Sequence, residues 1–296
     1  TMPEGAVWAP GVKVISDLNY RADGRGYLES GYSQIFLLPA DGGTPRQITQ
    51  GEFNHGGKLD WTPDGNEIIF SANRNEDWRE RERNSDLWSV SYRTGEMRQL
   101  TDRNGPDFAP SLSPDGSRLA YLGYEDRLMG YHNSQVSILD LNSGKITQLT
   151  EGLDRSIDWV EWAGNSRQLL ISFDDFGKRK LASVDMEGDL RPLESDVGSA
   201  GISRPYTSGD FTVSDNGAYA YTAGGPDRPA DVAFGHNDSA IRLTDLNADL
   251  LDHKTLGEVR EISWRSSVGD HDIYGWLVTP PGFDEAQQYP LLLDIH

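Results

Sequence analysis

The chain has 296 residues and carries 47 acidic against 27 basic side chains, a formal net charge of -20. Phosphate contacts dominate nucleic-acid affinity, so this balance argues against DNA or RNA as partners, and equally against anionic membranes. With no cysteine, disulfide frameworks, thiolate zinc sites and thiol nucleophiles are excluded as well.

Taken from the start, Thr1 to Gly5 show neither the basic nor the apolar segment of a secretory leader. No run reaches the roughly 18 apolar residues of a membrane span, and a soluble, cytoplasmic or periplasmic protein is expected. Val12 to Leu18, Gln34 to Leu38 and Arg46 to Thr49 read as strands of a first, shortened unit.

A repeat then sets in. Related turns begin at Trp61 (Trp61-Thr62-Pro63-Asp64-Gly65), Leu112 (Leu112-Ser113-Pro114-Asp115-Gly116), Trp162 (Trp162-Ala163-Gly164-Asn165-Ser166) and Val213 (Val213-Ser214-Asp215-Asn216-Gly217), spaced by 51, 50 and 51 residues. Proline presets φ, an Asp or Asn side chain bonds backbone two residues on, and glycine accepts a positive φ. A second marker closes each unit, at Arg46 to Thr49, Arg98 to Thr101, Thr147 to Thr150 and Ile241 to Thr244. Between the markers lie short apolar runs such as Ile68-Ile69-Phe70, Leu119-Ala120-Tyr121 and Leu169-Leu170-Ile171. Each unit therefore reads as four short strands, the blade that β-propellers repeat radially. Such blades bury their faces only by stacking, which explains the near-continuous apolar middle strands. The expected fold is all-β: an incomplete propeller of about five four-stranded blades over residues 1–247, three of them full from Phe53 to Val197 and a further one from Ile202 to Asn247. Trp61, Trp162 and Tyr221 are expected in its core.

The last fifty residues change character. A connector around Leu250-Leu251 and Leu256 precedes two strands, Val259 to Ser266 and Ile273 to Thr279, and a Pro280-Pro281-Gly282 turn. Tyr289 to His296 is almost wholly apolar, as expected of a strand covered on both faces in an α/β sheet. Residues 248–296 are thus expected to be a connector and the opening strands of a second, α/β domain that continues beyond His296.

Several of these segments closely resemble the prolyl oligopeptidase family of serine peptidases, in particular its bacterial acylaminoacyl-peptidase and dipeptidyl-aminopeptidase-like members. They are Tyr20-Arg21-Ala22-Asp23-Gly24-Arg25-Gly26-Tyr27, the Trp61 and Leu112 turns, Gly152-Leu153-Asp154-Arg155-Ser156, and above all Gly275-Trp276-Leu277-Val278-Thr279-Pro280-Pro281-Gly282-Phe283 with Tyr289-Pro290 and Leu291 to His296. The resemblance implies a propeller that admits short peptides to an α/β-hydrolase domain, with His296 opening a loop beside the oxyanion region. The nucleophile elbow Gly-x-Ser-x-Gly occurs nowhere in the chain. Catalytic Ser, Asp and His residues are therefore expected beyond residue 296, and none within it. Losing the catalytic serine or histidine of a triad lowers turnover by about 10⁶, so this stretch alone is expected to be inactive.

By the same resemblance, the segments leading into the innermost strands lie at a channel mouth. They carry Phe53 and His55, Asp107 and Phe108, Asp154 and Arg155, and Arg204 and Tyr206. Of these, His55, Asp154, Arg155, Arg204 and Tyr206 are candidate substrate-facing residues. Arg155 and Arg204 either present charge to bound peptide or to the hydrolase domain, or pair with neighbouring carboxylates and brace the turns. The mixed-charge segment Asn75 to Arg83 reads as a solvated hairpin loop, with a gate or subunit contact anchored by Trp78 as the other reading. The six histidines lack metal-ligand spacing, so neither a metal nor another cofactor is expected. Expected partners are short peptides and the chain's own C-terminal hydrolase domain; self-association stays open. The competing function is a non-enzymatic TolB-like propeller that docks proteins, which gives no reason for the Gly275 to His296 continuation. A propeller lyase or cyclase is disfavoured by the lack of clustered histidines and acids.

Overall fold

The computed structural model describes Gly5 and residues 11–199, 208–237 and 239–295. Its backbone contacts divide into two compact units, Thr1–Pro110 with Gly123–Gly130, and Ser111–Leu122 with Tyr131–His296.

In the first unit, β1 (Arg21–Ala22) and β2 (Gly26–Tyr27) form a small hairpin, and β3 (Phe36–Leu37) pairs with β4 (Arg46–Gln47). A four-stranded antiparallel sheet follows, in the order β5 (His55–Trp61), β6 (Glu67–Ala72), β7 (Asp86–Ser91) and β8 (Met97–Gln99). Ile35, Ile48, Ile68, Phe70, Ala72 and Val90 make one buried cluster between the small sheet and this blade. Burial of one such side chain contributes about 1.5–3 kcal/mol.

Next in sequence come β9 (Asp107–Leu112), β10 (Arg118–Gly123), β11 (Gln135–Asp140) and β12 (Ile146–Gln148), again an antiparallel four-stranded sheet in chain order. The second unit continues with β13 (Ile157–Trp162), β14 (Gln168–Asp175), β15 (Lys178–Asp185) and β16 (Leu190–Val197), then β17 (Phe211–Val213), β18 (Tyr219–Gly225), β19 (Arg228–His236) and β20 (Ser239–Arg242). These last eight share one sheet, because Val197 at the end of β16 pairs with Ala223 of β18. The short β17 covers only Tyr219 to Tyr221 and leaves that position of β18 open. Ala163, Leu170, Leu181, Val197, Tyr219, Tyr221, Ala223 and Ala233 pack together there.

Both sequence markers have a structural cause. In the Leu112 turn, Ser113 Oγ donates to Asp115 Oδ1 at 2.6 Å and accepts from the Arg118 N–H, while the Ser117 N–H donates to the same carboxylate. These bonds hold the Asp115 carboxyl down at about 2. Thr62–Asp64 and Ser214–Asn216 repeat the pattern. Gly65, Gly116 and Gly217 take positive φ, and Ser166 does so in the Trp162 turn without being glycine. The closing threonine is a clasp. Thr49, Thr101, Thr150 and Thr244 accept from the N–H of Ile35, Leu87, Val136 and Val232, of which Ile35 directly precedes β3 and the other three lie on the third strand of their blades. Thr49, Thr150 and Thr244 donate in turn to Gln34, Gln135 and Asp231.

Beyond the blades, a helical turn α1 (Ala248–Leu251) lies in the connector, and β21 (Val259–Arg265) pairs with β22 (Asp272–Val278) in a separate two-stranded sheet. Three expectations need correction. Val12 to Leu18 forms no strand, and Val12 and Val14 are 94% and 86% exposed, because no partner strand meets them. Residues 289–295 form none for the same reason, with Leu292 at 96% exposure. Trp162 and Tyr221 are buried, but Trp61 is 43% exposed. The Trp162 indole donates to the Ser111 carbonyl on the inner strand of the preceding blade, whereas among the described residues the two-stranded sheet before Trp61 has no such strand to offer. The blade expected from Ile202 opens outside the described residues, and its first described strand starts at Phe211. Among the described residues, no helix is long and apolar enough to cross a membrane.

Candidate functional site

In each blade the innermost strand begins level with the end of the second strand and the start of the third. His55 pairs with Ala72, and Ala72 with Asp86. The described candidate residues therefore lie at one end of their blades, in two groups that belong to different units.

In the first unit His55 is 2% exposed, with its backbone N–H on the Ser33 carbonyl and its ring 5.6 Å from that of Phe70. Its Nε2 lies 2.6 Å from Arg74 Nη1. Arginine only donates, so Nε2 accepts and the imidazole is neutral. Burial, and then the Arg74 charge, lower its pKa accordingly. The Arg74 guanidinium also stands 4.6 Å from the Phe53 ring centroid and 5.4 Å from that of Trp88. Arg74 was not among the residues singled out by sequence. Its signal there was faint: a lone cation just past the apolar run of a second strand. Trp78 is half-buried and turned edge-on to Tyr32 and Phe53, in keeping with a folded-back loop.

Asp107 is fully buried. Its Oδ1 is bonded by Arg103, its carbonyl accepts from Ser71 Oγ and Ser85 Oγ, and its Oδ2 has no partner. Burial raises its pKa in spite of Arg103. Asp86 accepts from Gln99 on Oδ2, while Oδ1 is buried without a partner. Burial and then the Asp107 charge push its carboxyl up to about 6.

In the second unit Arg155 donates from Nε to Asp175 Oδ1 at 2.7 Å and lies 5.1 Å from the Phe176 ring centroid. Lys180 bonds the other Asp175 oxygen. Burial alone would raise the Asp175 pKa, but the hydrogen bonds from Lys180 and Arg155 hold it below its usual value. The Asp154 side chain is exposed and accepts from Asn133 Nδ2. Arg155 is thus committed to its own blade. Arg204, Tyr206 and His296 lie outside the described residues. Among the described residues no group of three histidines, aspartates or glutamates is placed to hold a metal.

The β14–β15 tip next to Arg155 meets the separate hairpin. Phe176 and Gly177 both take positive φ, a two-residue turn between the paired Asp175 and Lys178. The Phe176 ring is 4.6 Å from Tyr274, and Lys178 Nζ is 2.5 Å from Glu261 Oε1. A Cβ on Gly177 would fall 2.9 Å from Trp276 Nε1.

The TolB beta propeller domain family matches residues 26–200, more than half of the chain. The chain belongs to that family. The TolB-type propeller is also similar, at 25% identity over 244 residues, to dipeptidyl-peptidase 5 of Porphyromonas gingivalis, covering 79% of this chain and 33% of the relative. The uncharacterized peptidase YuxL of Bacillus subtilis is 26% identical, with 95% of this chain and 44% of the relative covered. In fold, the TolB-type propeller and its hairpin resemble an acylaminoacyl peptidase of Pyrococcus horikoshii with a TM-score of 0.66 at 15% identity, over 92% of this chain and 40% of that one. The chain thus spans less than half the length of these curated peptidases.

Proposed function

We propose that this chain is the substrate-admitting propeller region of a serine peptidase acting on short peptides, with its catalytic residues outside residues 1–296. One observation carries the reading: the likeness to peptidases runs past the last blade. Coverage of 95% of the chain by the peptidase YuxL requires residues beyond Asn247. There β21 and β22 form a sheet of their own rather than another blade. A protein-docking propeller has no need of that hairpin. The chain's part is to order the access path, and the acyl-transfer chemistry belongs to a hydrolase domain that the hairpin introduces.

The test compares the intact protein with residues 1–296 alone on dipeptidyl and acyl-aminoacyl chromogenic substrates, alongside labelling by a serine-directed fluorophosphonate. The intact protein is expected to be labelled and to cleave at least one substrate class, and the shorter chain to do neither. Hydrolysis by residues 1–296 alone, or none by the intact protein, would refute the reading.

A further inference from the structure

Arg74 stands out from the other partly buried cations of the first unit. Arg79 reaches Asp17 and Glu52, and Arg103 holds Asp107. Arg74 meets no carboxylate among the described residues, although acids outnumber bases by 47 to 27 in the sequence. A guanidinium has five N–H donors. Among the described residues only Nη1 is engaged, by a neutral imidazole that adds no negative charge. The Phe53 and Trp88 rings hold the guanidinium in place without satisfying its remaining donors. Nearby, the Trp88 indole N–H is a further buried donor with no acceptor. The group as a whole is rich in donors and lacks an anion.

We propose that Arg74, fixed by His55, Phe53 and Trp88, is a binding site for the carboxylate of a short peptide. The fork of an arginine accepts a carboxylate through two parallel hydrogen bonds. Partial burial strengthens that pairing over its value in water, and burial does lower the Arg74 pKa. His55 sets which edge remains free by occupying Nη1. The net charge of -20 does not forbid an anion here, because charges farther than about 8 Å are screened at physiological salt. The site deepens the peptidase reading and rests on it only for the choice of a peptide as the bearer of the carboxylate.

The experiment is calorimetric titration of the intact protein with acetyl-trialanine as the free acid, its C-terminal amide, and an acetyl-Ala-Glu-Ala amide, each peptide verified intact afterwards by mass. The free acid is expected to bind about tenfold or more tightly than the amide, an advantage equivalent to about 1.4 kcal/mol. Arg74→Gln should bring the two within twofold, Arg74→Lys should keep only part of the preference, and Arg79→Gln should leave it intact. Preference for the Glu peptide over the plain amide assigns a side-chain carboxylate; preference confined to the free acid assigns the C-terminus. Either supports the site. Equal binding of all three peptides, binding of none, or an undiminished preference in Arg74→Gln overturns it. Should Arg74→Gln fail to fold, Arg74→Lys decides by the same comparison. Selective binding here, with no hydrolysis of the dipeptidyl and acyl-aminoacyl chromogenic substrates by the intact protein, would sink the peptidase reading and leave this site standing.

Discussion

Asp86 occupies the place that Gln34, Gln135 and Asp231 hold in the other units, one residue before the N–H that each threonine accepts. Those three receive a threonine hydroxyl. The Thr101 hydroxyl serves Asp107 instead, and Asp86 Oδ1 is left buried and alone. Because the folded-state pKa is raised to about 6, folding favours the protonated acid. The stability available below about pH 4 is lost as pH rises through about 6. Asp86→Asn is therefore expected to stabilise the protein at pH 7.5 by about 1 to 3 kcal/mol, one pKa unit being worth about 1.4, and to do little at pH 3.5. Urea unfolding at both pH values checks this; destabilisation by Asp86→Asn at pH 7.5 would show that the carboxylate is needed as an acceptor. The threonine itself was legible in sequence only as a marker. Its clasp joins groups 12 to 15 positions apart, a pairing that spacing cannot display until the strands are laid side by side. Arg74 was harder still, since its distinction is the absence of an anionic partner among the described residues.

The contact between the β14–β15 turn and the β21–β22 hairpin depends on Gly177. Its φ of +74 already disfavours any side chain, and the Trp276 indole fills the space that a Cβ would take. Gly177→Ala is expected to cost at least about 1 kcal/mol from backbone strain and to lift the hairpin. Hydrogen exchange at β21 and β22 should then quicken about tenfold, with β10 to β12 unchanged. A uniform increase across both regions would mean general destabilisation instead, and no change would mean that the contact holds nothing. Both strands of this hairpin were readable from the sequence. The apolar runs at Val12 to Leu18 and Leu291 to Ile295 misled, because apolarity marks a segment that could be covered, whereas a strand exists only where a neighbour pairs with it. Trp61 misled similarly: its turn matches the others, but its burial depends on the sheet that comes before.

At the scale of the whole molecule, the repeat and the change of architecture after Asn247 were plain in the sequence, since two markers recurred in step and then stopped. The merging of the last two blades into one sheet was not, because it turns on the short length of β17. Net charge also acts at this scale. Surface ion pairs contribute little each, while mutual repulsion among the surplus acids opposes compaction. Raising salt from about 10 to 150 mM shortens the screening length from about 30 to 8 Å and is expected to raise Tm by a few degrees; a fall would show that the ion pairs dominate. Outer strands pose a separate hazard, since exposed N–H and C=O groups can template a strand from another molecule. β8 and β12 are three residues long and present little. β16 has eight, yet Pro192 lacks an N–H, its pairing with β15 breaks register twice, and its last residue is already taken by Ala223. The longest outer strand is thus blunted along its own length, and the blades can stay acidic, exposed and free of aggregation at the edge where it would most readily start.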